Sequence, residues 1–168
     1  SPKKSLLAAG AQDGTVQVWE LPRKLPTGVG RDYDIASQPT WPVHRLAGSG
    51  APVLEVSFSS DADRLLSVTG DGLVWTWNLT TYKLESQSTL SGAPLVDAGW
   101  SADRSLLVTL GRDGQVRVWH PATQEQILSL DAGMATVLAV DAAGTKVATA
   151  GGASILVWDI ATGTQLTK

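Results

Sequence analysis

The side chains that could do chemistry in this 168-residue chain are few. There are two histidines, His44 and His120, and no cysteine. Cysteine nucleophiles, thiolate zinc sites and disulfides are therefore excluded. No Gly-x-Ser-x-Gly elbow occurs, and the His-x-x-x-His spacing of a zinc site is absent. Both histidines read as surface or partly buried structural residues. Asp61 and Asp63 in DAD have the look of a calcium loop, but the Gly and the distal Glu that such a loop needs are missing. The pair reads as a solvated turn. GVGRD (Gly28–Asp32) and GSG (Gly48–Gly50) lack the dinucleotide fingerprint and its strand–helix setting, so they read as loop glycines. Asn78-Leu79-Thr80 is a glycosylation sequon, meaningful only in a secreted eukaryotic chain. No cofactor and no metal is expected.

Two features are more individual. Glu55 and Asp97 occupy the same position in two similar segments, PVLEVSFS (Pro52–Ser59) and PLVDAGWS (Pro94–Ser101), which align without gaps 42 residues apart. Two carboxylates facing one cavity would hold a cation or a basic peptide. The alternative is that each bonds locally or meets water. The second feature is the stretch Leu21–Pro42, rich in Pro and Gly, with Arg23, Lys24, Arg31, Asp32, Tyr33, Asp34 and Trp41. A long loop of this kind is often functional. Its tip around Arg31 and Tyr33 is a candidate partner contact, while Trp41 packs the loop down.

What must position these residues is a repeat. Seven of the ten aromatic residues are Trp. Four of them close one phrase: DGTVQVW (Asp13–Trp19), DGLVWTW (Asp71–Trp77), DGQVRVW (Asp113–Trp119) and GASILVW (Gly152–Trp158). Trp19, Trp77, Trp119 and Trp158 stand 58, 42 and 39 residues apart, a period near 40 with one insertion. Before each turn runs a second apolar strand, and before that, in three copies, a third. A polar turn and a fourth run follow each Trp. Gly and Asp-Gly between short alternating strands signal hairpins. No segment carries a 3.6-residue apolar stripe across 12 residues. The expected fold class is all-β, built from four-stranded antiparallel units. One such sheet cannot cover both its faces, so the copies must pack face to face.

These residues resemble WD-repeat β-propellers. The four-strand period, the Asp-Gly turn and the closing Trp all match. Trp158-Asp159 is a literal Trp-Asp, whereas Trp19-Glu20, Trp77-Asn78 and Trp119-His120 depart from it. In that family a hydrogen-bonded set joins a d–a loop His, a strand b hydroxyl, the turn Asp and the strand c Trp. The resemblance gives Asp13, Asp71 and Asp113 the Asp role, and Ser67 and Thr109 the hydroxyl role. Ser49, Ser91 and Asp131 stand at the His position, so no repeat has the full set. The last repeat is one residue shorter in its b–c hairpin and has lost the turn Asp. The repeats are expected at about 1–47 (without strand a, insertion 22–40), 48–89, 90–130 and 131–168. That makes fifteen strands, about 3.75 blades. The expectation is a segment of a larger ring whose remaining blades complete it; assembly of several copies and a four-blade ring are the alternatives.

The resemblance implies protein–protein binding by a non-catalytic scaffold. The alternative is a sensory or regulatory propeller of a larger enzyme, with the catalytic part elsewhere. Partners are expected to be proteins or peptides. A net charge of −3 argues against a general nucleic-acid binder. No apolar run approaches the length of a membrane span, and SPKKSLLAAG has no secretory core. Cytoplasmic placement is expected. The family's b–c turns and d–a loops share one rim, where partners dock. Here that rim is expected to hold Gln12, Gly70 and Arg112 with Ser49–Pro52, Ser91–Pro94 and Asp131–Met134, and Arg112 is the best single anchor. The four repeat Trp are expected to be buried, with Val16, Val18, Val74, Val116, Val118, Ile155 and Val157 on the opposite strand faces.

Overall fold

The computed structural model describes residues 1, 3–21, 43–90 and 92–167. Among them are fifteen strands and no helix. The first sheet holds β1 (Leu6–Gly10), β2 (Val16–Glu20) and β3 (Val43–Leu46). The second runs β4 (Val53–Phe58), β5 (Arg64–Thr69), β6 (Leu73–Asn78) and β7 (Lys83–Thr89). The third is β8 (Leu95–Trp100), β9 (Leu107–Gly111), β10 (Gln115–His120) and β11 (Glu125–Asp131). The fourth is β12 (Val137–Val140), β13 (Lys146–Gly151), β14 (Ser154–Asp159) and β15 (Gln165–Thr167). Each sheet is an antiparallel meander in sequence order. The inner strands adjoin one another: β4 lies against β8, β8 against β12, and β1 against β4. The four sheets do not close into a ring.

Alternation along each central strand aims one set of side chains at the preceding sheet and the other at the following sheet. Three apolar clusters result, one between each neighbouring pair. Between the first and second sheets, Val16, Val18 and Leu46 meet Leu65, Trp75 and Trp77. Between the second and third, Val68, Val74 and Leu90 meet Ala98, Trp100, Leu107 and Trp119. Between the third and fourth, Val108, Val116, Val118 and Leu130 meet Val147, Trp158 and Ile160. Trp77, Trp119 and Trp158 therefore pack backwards onto the sheet before their own.

This direction corrects one expectation. Trp77, Trp119 and Trp158 are buried, but Trp19 is only half-buried, because no sheet precedes its own. Leu7, paired with Trp19, is 52% exposed, while Leu65, Leu107 and Val147 at the same register position are 0% exposed. At the other end Ile155 faces forward with nothing against it and is 65% exposed, and Val157 is half-buried. Val16, Val18, Val74, Val116 and Val118, on the face opposite the Trp as expected, are buried.

Polar ties add to the apolar packing. Tyr82, in the turn after β6, stacks on His44 of the first sheet with ring centroids 3.3 Å apart. Its hydroxyl donates to Glu20 Oε1 at 2.9 Å, the oxygen that His44 Nε2 meets at 3.2 Å. Burial, then the bond to Glu20, pushes the Tyr82 phenol up to about 12. Lys4 reaches Asp63 at 2.8 Å across the same boundary. Asp61 and Asp63 sit in the β4–β5 turn, where Asp61 accepts from Ser59 Oγ and the Asp63 N–H. DAD is thus a turn, as its sequence suggests.

Candidate functional site

The Asp-Gly turns build one end of each of the first three sheets. Gly14, Gly72 and Gly114 all take positive φ, between 75° and 82°. A side chain at Gly14 would collide with the Gly50 backbone, and one at Gly114 with the Gly133 carbonyl. The turn glycines therefore let each β-turn close onto the loop that leads to the next sheet. Asp13 accepts from the Thr15 hydroxyl at 2.6 Å and the Thr15 N–H at 3.1 Å, and Arg45 lies 3.1 Å away. Asp71 accepts from Thr69 Oγ1 at 2.5 Å. Burial alone would raise the Asp71 carboxyl, but the hydroxyls of Thr69 and Ser49 and the Leu73 N–H outweigh it and hold it below its ordinary value. Asp113 is held low chiefly by Arg117, whose Nη2 sits 2.5 Å from Oδ2, and then by the Gln115 N–H.

The family's four-part set is thereby split in two. Ser67 and Thr109 accept the indole N–H of Trp77 at 3.3 Å and of Trp119 at 2.9 Å. The aspartates do not join them, but bond to Thr15, Thr69 and Arg117 instead. In the fourth sheet Thr149 occupies the register position of Ser67 and Thr109, yet its buried hydroxyl has no partner.

The rim is fastened by backbone bonds. Val53 N–H donates to Ala11 C=O at 3.0 Å and Leu95 N–H to Gly70 C=O at 2.8 Å, tying β4 and β8 to the turn of the sheet before them. Arg112 N–H donates to Pro94 C=O at 2.8 Å. These turns and loops surround an open groove of about 960 Å³ lined by Gln12, Pro52, Gly70, Pro94, Arg112 and Met134, among others. The structure thus gathers Gln12, Gly70 and Arg112 with all three connecting loops at one site. Gln12 and Arg112 are exposed, and Arg112 has no ion-pair partner among the described residues. Met134 is 86% exposed at the groove. It stands in the Asp131–Met134 loop expected at the rim, the apolar residue of the Gly-containing stretch DAGM.

The other candidates lie elsewhere. Asp97 Oδ2 accepts from Leu138 N–H of β12 at 2.8 Å and Oδ1 from Ala98 N–H at 2.9 Å. It works as a strap between two inner strands. Glu55 is half-buried; loss of solvent raises its carboxyl, Arg104 opposes that, and Asp97 adds to it. Val137 takes the equivalent position in the fourth sheet, so the carboxylate row ends after two members. Arg31 and Tyr33 lie outside the described residues. Among the described residues no group of three or more His, Cys, Asp and Glu could hold a metal ion. No described helix is long and apolar enough to cross a membrane.

Stacked four-stranded meanders, inner strands side by side, and Asp-Gly turns backed by a buried Trp define a WD-type propeller segment. The family model for the WD domain, G-beta repeat, matches residues 1–20, 40–78 and 84–120, more than half of the chain. The chain belongs to that family. It is similar to the Polycomb protein esc of Drosophila virilis, with 37% identity over 78 residues. That match covers 46% of this chain and 16% of the relative.

Proposed function

We propose that this chain is a non-catalytic interaction scaffold that docks a peptide or a protein loop in the rim groove, with Gln12, Arg112 and Met134 as contacts. The observation that supports this most is the groove itself. Turns of the first three sheets and all three connecting loops converge on it, backbone bonds preform it, and its two most prominent side chains are an Arg with no ion pair among the described residues and an exposed Met. Arg and Met are enriched at protein interfaces, and Arg is common at binding hot spots. Apart from Asp71, whose carboxylate is bonded to Thr69 Oγ1, the rest of the lining is small or apolar and uncharged. That suits a flat peptide contact better than a phosphate group, which calls for several cations. Membership of a repeat family that presents variable loops on a rigid stack supports the same reading.

The uncovered apolar positions Leu7 and Val43 on the first sheet and Val137 and Ile155 on the fourth fit packing against further blades of the same propeller. Arg31 and Tyr33 are the alternative partner contact, on the insertion. Glu55 and Asp97 are weaker candidates, since Asp97 already spends both oxygens on backbone N–H groups.

The test is a peptide selection on the chain, followed by affinity measurement of the tightest peptide. Arg112→Ala and Met134→Ser are each expected to weaken it tenfold or more, and deletion of 27–40 to leave it unchanged. Loss on deletion with no change in the rim variants would move the site to the insertion.

A further inference from the structure

The three boundaries between sheets are built on one plan but are not filled alike. Register places Val18, His44 and Leu46 of the first sheet, Thr76, Ser86 and Ser88 of the second, and Val118, Leu128 and Leu130 of the third at the same three forward-facing positions. Between the third and fourth sheets, Val118, Leu128 and Leu130 fill the space with hydrocarbon. Between the second and third, three hydroxyls stand in their place, and a cleft of about 540 Å³ remains. The inner strand repeats the substitution, with Ser57 where the third sheet has Gly99.

Two buried polar atoms on residues that line this cleft are unsatisfied. Ser57 is 4% exposed and Trp100 is 8% exposed. Both residues line the cleft, and neither Ser57 Oγ nor Trp100 Nε1 has a hydrogen-bond partner. A buried polar group without a partner is destabilising unless a water, an ion or a ligand satisfies it. The charged residues on the lining are Arg64, Arg104 and Asp103. Asp103 is committed to Ser101 Oγ at 2.7 Å and to Ser105 N–H and Oγ at 3.0 and 2.8 Å. Arg64 is paired with Glu85 at 2.6 Å, and Glu85 does not line the cleft. Arg104 has no ion pair among the described residues; its guanidinium reaches only the Phe58 and Ser101 carbonyls, both at 3.4 Å. Glu55 is near enough to feel its charge.

An indole N–H and a guanidinium can only donate, and a hydroxyl can donate too. A ligand that satisfies this wall must bring acceptors, and the free cation at the mouth selects negative ones. We propose that the cleft between the second and third sheets is a binding site for a small oxyanion, a phosphate or carboxylate group, held by Ser57, Ser86, Ser88, Trp100 Nε1 and Arg104. The site lies at the end of the sheets opposite the rim groove and does not depend on the reading of that groove.

The test is titration of the ¹⁵N-Trp-labelled 168-residue chain, following the indole N–H signals by NMR, with Trp100→Phe assigning the Trp100 signal. The probes are sodium phosphate and sodium acetate at constant ionic strength, with sodium chloride and glycerol as controls. A saturating shift of the Trp100 signal with phosphate or acetate is expected, and which of the two saturates at lower concentration names the headgroup. Arg104→Gln, in an exposed turn, weakens that response at least tenfold. Ser86→Leu/Ser88→Leu installs the third sheet's residues, fills the cleft and abolishes the response. A non-saturating shift equal to that in chloride, or saturation by glycerol and by neither anion, overturns the proposal. So does an Arg104→Gln response equal to that of the parent chain.

Discussion

Thr109 and Thr149 occupy the same register position on β9 and β13, and both are buried, at 0% and 2% exposure. Their hydroxyls are in opposite states. Thr109 accepts the Trp119 indole N–H at 2.9 Å, whereas Thr149 Oγ1 has no partner. Replacing Thr by Val keeps the shape and removes the hydroxyl, so the two substitutions should have opposite signs. Thr109→Val leaves the indole N–H of a Trp that is 2% exposed without an acceptor. Leaving a buried donor unsatisfied costs about 1–3 kcal/mol. Thr149→Val removes an orphan that is already unsatisfied, and the added methyl is buried against the apolar cluster formed with Trp158. That change should be neutral or stabilising, by up to about 1 kcal/mol.

The assay is urea unfolding followed by Trp fluorescence. With a urea slope of about 1–3 kcal/mol per molar, Thr109→Val should lower the midpoint by about 1 M, and Thr149→Val should hold or raise it. Equal losses for both variants, or a larger loss for Thr149→Val, would refute the assignment of these two hydroxyls.

Trp119→Ala should cost about 3–5 kcal/mol, as large buried aromatic truncations do, whereas Trp19→Ala, half-exposed for want of a preceding sheet, should cost about 1 kcal/mol in the same urea assay. Gly114→Ala forces a side chain into the Gly133 carbonyl at a φ of +75°; thermal melting should fall clearly, while Gly133→Ala, with open space around it, should fall less. Stability against pH separates two carboxylates. Asp71 is held below 3.8, so its contribution is present above that value and is lost as pH falls through the lower folded value. Asp71→Asn should therefore destabilise at pH 7, with the gap to the parent chain closing in acid. Glu55 is raised above 4.5, so its ionised form opposes folding at neutral pH. Glu55→Gln should raise the melting temperature at pH 7, with the gain disappearing below 4.5.

Much of the architecture was readable because the repeat is written in turn chemistry and period. Asp-Gly before an alternating run that ends in Trp locates a hairpin, and the offset of 42 residues between Pro52 and Pro94 locates the inner strands. Segments with an ambiguous pattern, such as Tyr82–Leu90, took their strand identity from position in the repeat, and β7 lies there. What periodicity cannot convey is which neighbour a side chain meets. Trp19 carries the same motif as Trp119 but lacks a sheet behind it. Thr69 and Arg117 bond the turn aspartates, while Ser67 and Thr109 accept the indole N–H groups of Trp77 and Trp119. Asp97 looked like one half of an acidic pair, yet it straps β8 to β12 through the Leu138 N–H, a contact 41 residues away. The rim was legible in outline, since the turn and loop positions follow from the repeat. The hydroxyl-lined cleft needed the packed sheets.

The central claim is that partners dock on the rim built from the Asp-Gly turns and the loops between sheets. Amide hydrogen exchange of the chain with and without its tightest selected peptide tests it most directly. The account predicts new protection at residues 11–14, 50–53, 92–95, 111–114 and 132–136, with no change at the opposite turns around residues 61–63 and 102–104. Protection confined to those opposite turns or to the insertion, with the rim segments unchanged, would contradict it.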